Sequence, residues 1–94
     1  MSPSTTAATS AWCVYLLRCA GGTLYTGSTT DIRRRLAQHR AGRGGAFTRS
    51  RRPVRLLHVE PHPDRASAQR REAQLKGWSR AQKLAFLRSA KQTR

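Results

Sequence analysis

The sequence predicts a small mixed α/β domain of the α+β type, with elements in the order β-β-α-β-α-α. Three observations carry this. The run Trp12 to Cys19 is apolar except at Arg18, short and rich in aromatic and branched residues, which marks a buried central strand. The double glycine of Ala20-Gly21-Gly22-Thr23 is a turn signal, so Thr23 to Gly27 is the returning strand of a hairpin. Further on, side chains that start helices stand before three segments with helical apolar spacing: Thr30 or Asp31, then Asp64, then Ser79.

The first helix is expected from Thr30 or Asp31 to about His39 or Ala41, with Ile32 and Leu36 on its apolar stripe. Gly42-Arg43-Gly44-Gly45 ends it and opens a flexible basic loop that lasts to Arg52. After Pro53, a third strand covers Val54 to Glu60, and Pro61-His62-Pro63 punctuates. Asp64 caps a helix from Arg65 to about Lys76 that Gly77 ends. Ser79-Arg80-Ala81-Gln82 has the form of a capping box, and Ala81, Leu84 and Leu87 give the last helix its inner face.

A chain of 94 residues allows one domain, expected over 11–90, between a Ser/Thr/Ala tail at 1–10 read as disordered and a basic tail at 91–94. No stretch approaches the length of a membrane span, and the N-terminus lacks the basic start and apolar run of a signal peptide. Cys13 and Cys19, six apart in one extended run, lie about 20 Å apart at about 3.3 Å per residue, too far to bridge. They read as reduced core cysteines of a cytoplasmic protein, nucleoid-associated if the source is prokaryotic.

Charge is the outlying property. Nineteen Lys and Arg face four Asp and Glu, for a formal net charge of +15. So dense a charge repels itself unless a polyanion neutralises it, and nucleic acid is the natural one, because each phosphate contact releases condensed counterions. All but Lys76, Lys83 and Lys91 are Arg, whose planar fork grips a phosphate with two hydrogen bonds. Arg bias in the coding DNA explains the Arg-to-Lys ratio but not the scarcity of acids. A membrane partner is disfavoured, since no segment is a long basic amphipathic helix with bulky apolar residues.

With four acids, the candidates for holding a metal ion are few. Asp31 and Asp64 have an explanation as helix caps, and Glu60 ends a strand beside a proline turn. Glu72 sits mid-helix with Ala68 at i−4 and Leu75 at i+3, which aims it toward an apolar stripe. By spacing alone it is open to two readings, a surface salt bridge or a functional carboxylate. In Arg33-Arg34-Arg35, helical phase separates the three: Ile32, Arg35, Leu36 and His39 form one stripe, so Arg35 faces the body of the protein with His39 one turn on. An inward Arg beside a His suits gripping a phosphate and relaying a proton; snorkelling and a boundary His are the bland alternatives. Tyr15 and Tyr25, on the two hairpin strands, share a face only if the connecting loop has an odd number of residues. The double glycine suits a three-residue loop with a bulge.

These residues resemble a known family. Val14-Tyr15-Leu16 and Leu24-Tyr25-Thr26-Gly27 resemble the two halves of the GIY-YIG nuclease signature, Asp31-Ile32-Arg33-Arg34-Arg35-Leu36 its helix, and Arg70-Arg71-Glu72 the place of its metal-binding Glu. Thr48-Arg49, Arg51-Arg52-Pro53 and Glu72 through Arg80 resemble the small single-domain UPF0213 or YhbQ-like branch. The resemblance spans Trp12 to Leu87. It implies a small three-stranded antiparallel sheet flanked by helices, and hydrolysis of DNA phosphodiester bonds with one divalent ion, Mg2+ or Mn2+. By the same resemblance, Tyr15 is the general base toward water, Tyr25 its hydrogen-bonded partner, and Arg35 the neutraliser of phosphoryl charge. His39 takes a position that is His or Tyr in the family, and Glu72 is the sole protein carboxylate on the metal. The chain departs from the signature at Cys13 and Val14, carries Ser28 where some members have Lys, and has no Asn after Glu72.

The expected nucleic-acid contacts are Ser28, Arg33, Arg43, Phe47, Thr48, Arg49, Arg51, Arg52 and Lys76, with Arg43 to Arg52 as the main phosphate-tracking segment. Phe47 is the foremost stacking residue for unpaired bases, while Trp12 and Phe86 read as core. Single-stranded or structured DNA is favoured over duplex, RNA stays open, and the chain is expected to act as a monomer. The competing readings are a catalytically weak nucleic-acid-binding module and an RNA- or ribosome-associated basic protein. An inward Glu among arginines argues against a pure binder.

Overall fold

A computed structural model describes residues 12–92. The expected tail at 1–10 lies outside the described residues, as does the end, 93–94, of the tail expected at 91–94; residues 91–92 of that tail instead continue the last helix. Strand β1 (Trp12–Arg18) is followed by a single 3-10 turn (Ala20–Gly22), β2 (Leu24–Thr29), helix α1 (Ile32–Arg40), a one-turn helix α2 (Ala46–Arg49), β3 (Arg55–His62), α3 (Arg65–Lys76) and α4 (Arg80–Gln92). The sheet is antiparallel and ordered β2-β1-β3. The most apolar strand is therefore central, where both of its faces are covered: Val14, Tyr15, Leu16 and Leu17 are all at 1% exposure or less.

Alternation along β1 sends Tyr15 and Leu17 to one face of the sheet and Val14 to the other. The first face packs Tyr15, Leu17, Cys19 and Val54 against Ile32 and Leu36 of α1. The second packs Val14 against Ala68 and Leu75 of α3, with Trp12 and Trp78 at the margin. Trp78 also meets Phe86 of α4 edge-on, so Trp12 and Phe86 belong to packed layers, as their sequence context indicates. Cys13 is half-buried, Cys19 buried, and both are free.

The helix starts follow from their caps. Asp31 Oδ1 accepts from the Arg34 amide at 3.1 Å, and Asp64 Oδ1 accepts from the Ser67 amide at 2.8 Å. The capping box before α4 closes reciprocally: the Ser79 amide donates to Gln82 Oε1 at 2.7 Å, and the Gln82 amide donates to Ser79 Oγ at 3.1 Å.

Three local expectations are corrected. The hairpin loop is longer than three residues: Arg18 pairs with Leu24, leaving 19–23 to turn the chain with Gly21 at φ 84° and Gly22 at φ 87°. Its odd count still puts both tyrosines on one face, Tyr15 opposite Gly27 and Tyr25 opposite Leu17. The basic loop is not irregular throughout, because Ala46–Arg49 forms a helical turn. Finally, β3 begins at Arg55 and runs through Pro61 to His62, two residues beyond the expected end. It is an edge strand, and there a proline, which has no amide hydrogen to donate, does not break the ladder.

Candidate active site

The site is assembled from both faces of the sheet around the exposed edge made by β2. On the α1 face, Tyr15, Tyr25 and His39 form a triangle of rings, with centroids 6.3 Å, 5.8 Å and 5.2 Å apart for Tyr15–Tyr25, Tyr15–His39 and Tyr25–His39. His39 is fully buried and bridges two hydroxyls, Tyr15 Oη at 2.9 Å from Nε2 and Thr48 Oγ1 at 2.7 Å from Nδ1. Burial, and then the Arg35 charge, lower the His39 pKa below its ordinary value. The imidazole is therefore neutral at pH 7, so one of its nitrogens donates and the other accepts. Burial pushes the Tyr15 hydroxyl up to about 12, against the opposing pull of the Arg35 guanidinium; the charges of Tyr25 and Glu72 push the same way as burial. Tyr15 is thus a protonated phenol near neutrality.

Two glycines make this packing possible. A Cβ on Gly27 would stand 2.5 Å from the Tyr15 hydroxyl, so the ring lies across β2 only because that position is bare. A Cβ on Gly44 would overlap the His39 ring. Gly44 also fixes Arg35: its carbonyl accepts from Nη2 at 2.9 Å, while Gln38 Oε1 accepts from Nη1 at 3.0 Å. Arg35 is half-buried and Arg33 and Arg34 are exposed, as helical phase requires.

Glu72 reaches the same edge from the α3 face. Ser28, the residue after Gly27, donates its hydroxyl to Glu72 Oε1 at 2.7 Å, and Lys76 Nζ lies 2.8 Å from Oε2. Burial works to raise the Glu72 pKa, but the hydrogen bonds from Lys76 and Ser28 outweigh it and keep the carboxyl below its usual range. The buried Ala68 and Leu75 on either side of it confirm the inward phase of the helix.

Among the described residues no group of three or more His, Cys, Asp or Glu side chains is arranged to hold a metal ion. A closed protein cage is thus absent there, but the donors fit an ion of another kind. Glu72 and Ser28 offer hard oxygens, the carboxylate is ionised, and Lys76 already lies on it as a stand-in cation. The Lys76 side chain is 55% exposed. A single-carboxylate site suits Mg2+, which retains waters and takes substrate oxygens as ligands.

The remaining expected contacts divide. Arg43 and Arg49 are exposed along the basic loop. Phe47, 39% exposed, stacks on Tyr25 at 5.6 Å and carries the Arg51 guanidinium 4.0 Å above its ring. Arg52 donates to the carbonyls of Arg49 and Arg40 and so braces the loop. Arg33 lines an outer hollow with Leu36 and Arg40. Thr48, expected to face nucleic acid, is instead 1% exposed and turned onto His39; Ser28 is turned onto Glu72. Sequence reasoning passed over Gln38 and Gly44 as the groups that orient Arg35. A glycine-rich stretch directly after the Arg/His helix is the signal that marks them. It also took Glu60 as a strand end. Glu60 is the hub of a cluster on the α3 face, bound by Arg71 at 2.7 Å, His62 at 2.9 Å and His58 at 3.0 Å.

A two-tyrosine hairpin, an inward Arg and His on the next helix, and a helical Glu meeting them at a strand edge define a class of nuclease-like domain. The GIY-YIG catalytic domain model matches residues 11–85, and the chain belongs to this family, in its small UPF0213 branch. A UPF0213 protein of Cupriavidus pinatubonensis is 51% identical over 75 residues, 80% of this chain and 83% of that protein. One from Halobacterium salinarum is 51% identical over 73 residues, 78% of this chain and 95% of that one. The solution structure of the UPF0213 protein BH0048 of Bacillus halodurans superposes with TM-score 0.54 at 39% identity, covering 81% of each chain. That of EF2693 from Enterococcus faecalis gives 0.57 at 37% identity over 82% of each. A GIY-YIG domain is a nuclease-family domain, and divalent ions and DNA are the general requirements of such nucleases.

Proposed function

We propose that this chain is a metal-dependent endonuclease that hydrolyses phosphodiester bonds in single-stranded or structured DNA. The observation that carries the reading is the Tyr15–His39–Thr48 hydrogen-bonded chain, whose Tyr15 hydroxyl lies against Gly27 while the Glu72 carboxylate is bonded to Ser28, the next residue of β2. With Tyr15 protonated and His39 neutral, the productive tautomer has Tyr15 donating to Nε2 and Nδ1–H donating to Thr48. The attacking water then gives its proton to Tyr15 Oη while the Tyr15 proton passes to His39 Nε2, so no free phenolate is needed. Arg35, held in place by Gln38 and Gly44, faces the charge that develops on the phosphoryl oxygens. A divalent ion on Glu72 would supply further positive charge to the phosphate and leaving oxygens. Phe47, exposed beside Tyr25, supports a substrate with unpaired bases near the scissile bond.

The test is a cleavage assay with Mg2+ or Mn2+ on matched single-stranded, duplex and branched DNA and on RNA, with Glu72→Gln as control. The expected outcome is EDTA-sensitive cleavage of single-stranded or branched DNA that Glu72→Gln abolishes while binding survives. Arg35→Ala is expected to cost on the order of 10²-fold in turnover, well beyond Arg33→Ala or Arg34→Ala. Cleavage retained by Glu72→Gln, or equal effects of the three arginines, would reject this assignment.

A further inference from the structure

Away from the catalytic edge, the β1–β2 turn and α4 enclose a groove that the mechanism does not use. Arg80, the first residue of α4, ties the two together by donating to the Gly22 carbonyl. One end of the groove is a cavity of about 270 Å³ with a floor of four leucines: Leu24, Leu57, Leu84 and Leu87. Arg18, Arg80 and Arg88 stand on its rim. A second hollow along the turn shares Leu24 and Arg80 with it and adds Lys83.

The charge pattern says what belongs there. Asp31 and Asp64 are spent on helix caps, Glu60 on Arg71 and two histidines, and Glu72 on Ser28 and Lys76. Among the described residues no carboxylate pairs with Arg18, Arg80, Lys83 or Arg88. Unpaired cations around an apolar floor match a ligand that is anionic along one side and flat and apolar on the other. The row also leads toward the Glu72 edge. Lys76, bonded to Glu72, ends α3; Arg80 opens α4 four residues on, with half-buried Lys83 beside it in the second hollow. A strand leaving Glu72 therefore meets Lys76, Lys83, Arg80 and then the leucine floor between Arg18 and Arg88.

We propose that this groove is a strand-tracking subsite, in which an unpaired nucleotide of the bound strand rests its base on the leucine floor and its phosphates on Arg18 and Arg88. A duplex keeps its base faces stacked inside and has nothing to offer that floor, so the groove selects for single strands. The direction of the strand rests on the reading of the Glu72 edge as the cleavage site; the binding does not require turnover.

The experiment uses fluorescence anisotropy with the full-length Glu72→Gln protein, a labelled single-stranded oligonucleotide and its duplex, with and without Arg18→Ala/Arg88→Ala. Both arginines are exposed, and a thermal melt checks that the fold is kept. The expected result is a loss of about tenfold in single-strand affinity, with the slope of log affinity against log salt reduced by about 1.4, at about 0.7 per phosphate contact. Duplex affinity should change less than twofold. A single abasic position in the oligonucleotide should weaken binding to the parent protein but not to the double variant. Unchanged single-strand affinity, or equal losses on both forms, would overturn the proposal. So would single-strand affinity that stays intact while binding to an acidic amphipathic peptide is lost, which would assign the groove to a protein partner. Because the assay needs no cleavage, an inactive parent protein would count against the nuclease reading and leave this result standing.

Discussion

At the scale of single residues, chemistry is decided by which groups hold protons. Tyr15 titrates at about 12 and His39 below its ordinary value, so the working form is a neutral pair near pH 7. If His39 is the final proton acceptor, the cleavage rate should rise from acid pH to a plateau with the midpoint of the rise below about 6.5, the ordinary histidine value. It should show no further rise as pH approaches 10. A rate that climbs steadily to pH 10 would show that the phenolate is the base. Tyr15→Phe should cost on the order of 10²-fold or more and flatten the rising limb. Lys76 invites a second measurement. Its ammonium shares Glu72 with any incoming cation, so Lys76→Met should tighten Mn2+ binding several-fold in a calorimetric titration without nucleic acid. Arg33→Met, with the same change in charge at an exposed site, should not. Equal effects would mean that Lys76 acts only through net charge. Arg35 and Glu72 could be aimed inward from the sequence by helical phase, but for Glu72 phase left a salt bridge and a functional carboxylate equally open, and the choice came from the family resemblance. Thr48, Gln38 and Gly44 were not. Thr48 meets His39 across a loop whose turn is set by packing, and Gln38 and Gly44 matter only once the Arg35 guanidinium has a place to point.

At the scale of elements, what the sequence revealed was governed by local chemistry and what it hid by pairing. Asp31, Asp64 and the Ser79/Gln82 box start helices through contacts three residues away, so they were readable in order. The hairpin loop length and the end of β3 are set by partners on other strands. Pro61 reads as a stop unless one knows that β3 is an edge. The same strand carries the tie between sheet and helix. Burial raises the Glu60 pKa, but hydrogen bonds from Arg71, His62 and His58 overcome it and bring the group down to about 2. A carboxylate with a lowered folded pKa contributes stability that is full above its unfolded value, about 4.3. That stability is lost as pH falls from there toward 2. The melting temperature of the parent protein should therefore fall steeply between pH 5 and pH 2. Glu60→Gln, less stable at pH 7 by roughly 2 kcal/mol, should show a shallower fall over the same range. Parallel curves would locate the acid sensitivity in Glu72 or the caps instead.

At the scale of the molecule, a +15 charge sits on a body with a radius of gyration of 13.6 Å. That radius is comparable to the Debye length of about 10 Å at 0.1 M salt, so in dilute buffer most cations feel one another. The acids cannot relieve this, because each is committed to a cap or a cluster, and the folded state carries the repulsion of its unpaired arginines. Three consequences belong together. Raising NaCl from 50 to 500 mM should raise the melting temperature by several degrees, because screening relieves the folded form more than the expanded one. Binding of an oligonucleotide at low salt should produce a comparable or larger rise, by supplying the missing negative charge and by mass action. The same increase in NaCl should weaken that binding steeply, as phosphate contacts that release counterions require. Salt would thus stabilise the free protein and dissociate its complex, and the two melting curves should converge as salt increases. A melting temperature of the free protein that is flat or falls with NaCl would show that its cations are already neutralised within the fold. The charge would then be no argument for a polyanionic partner.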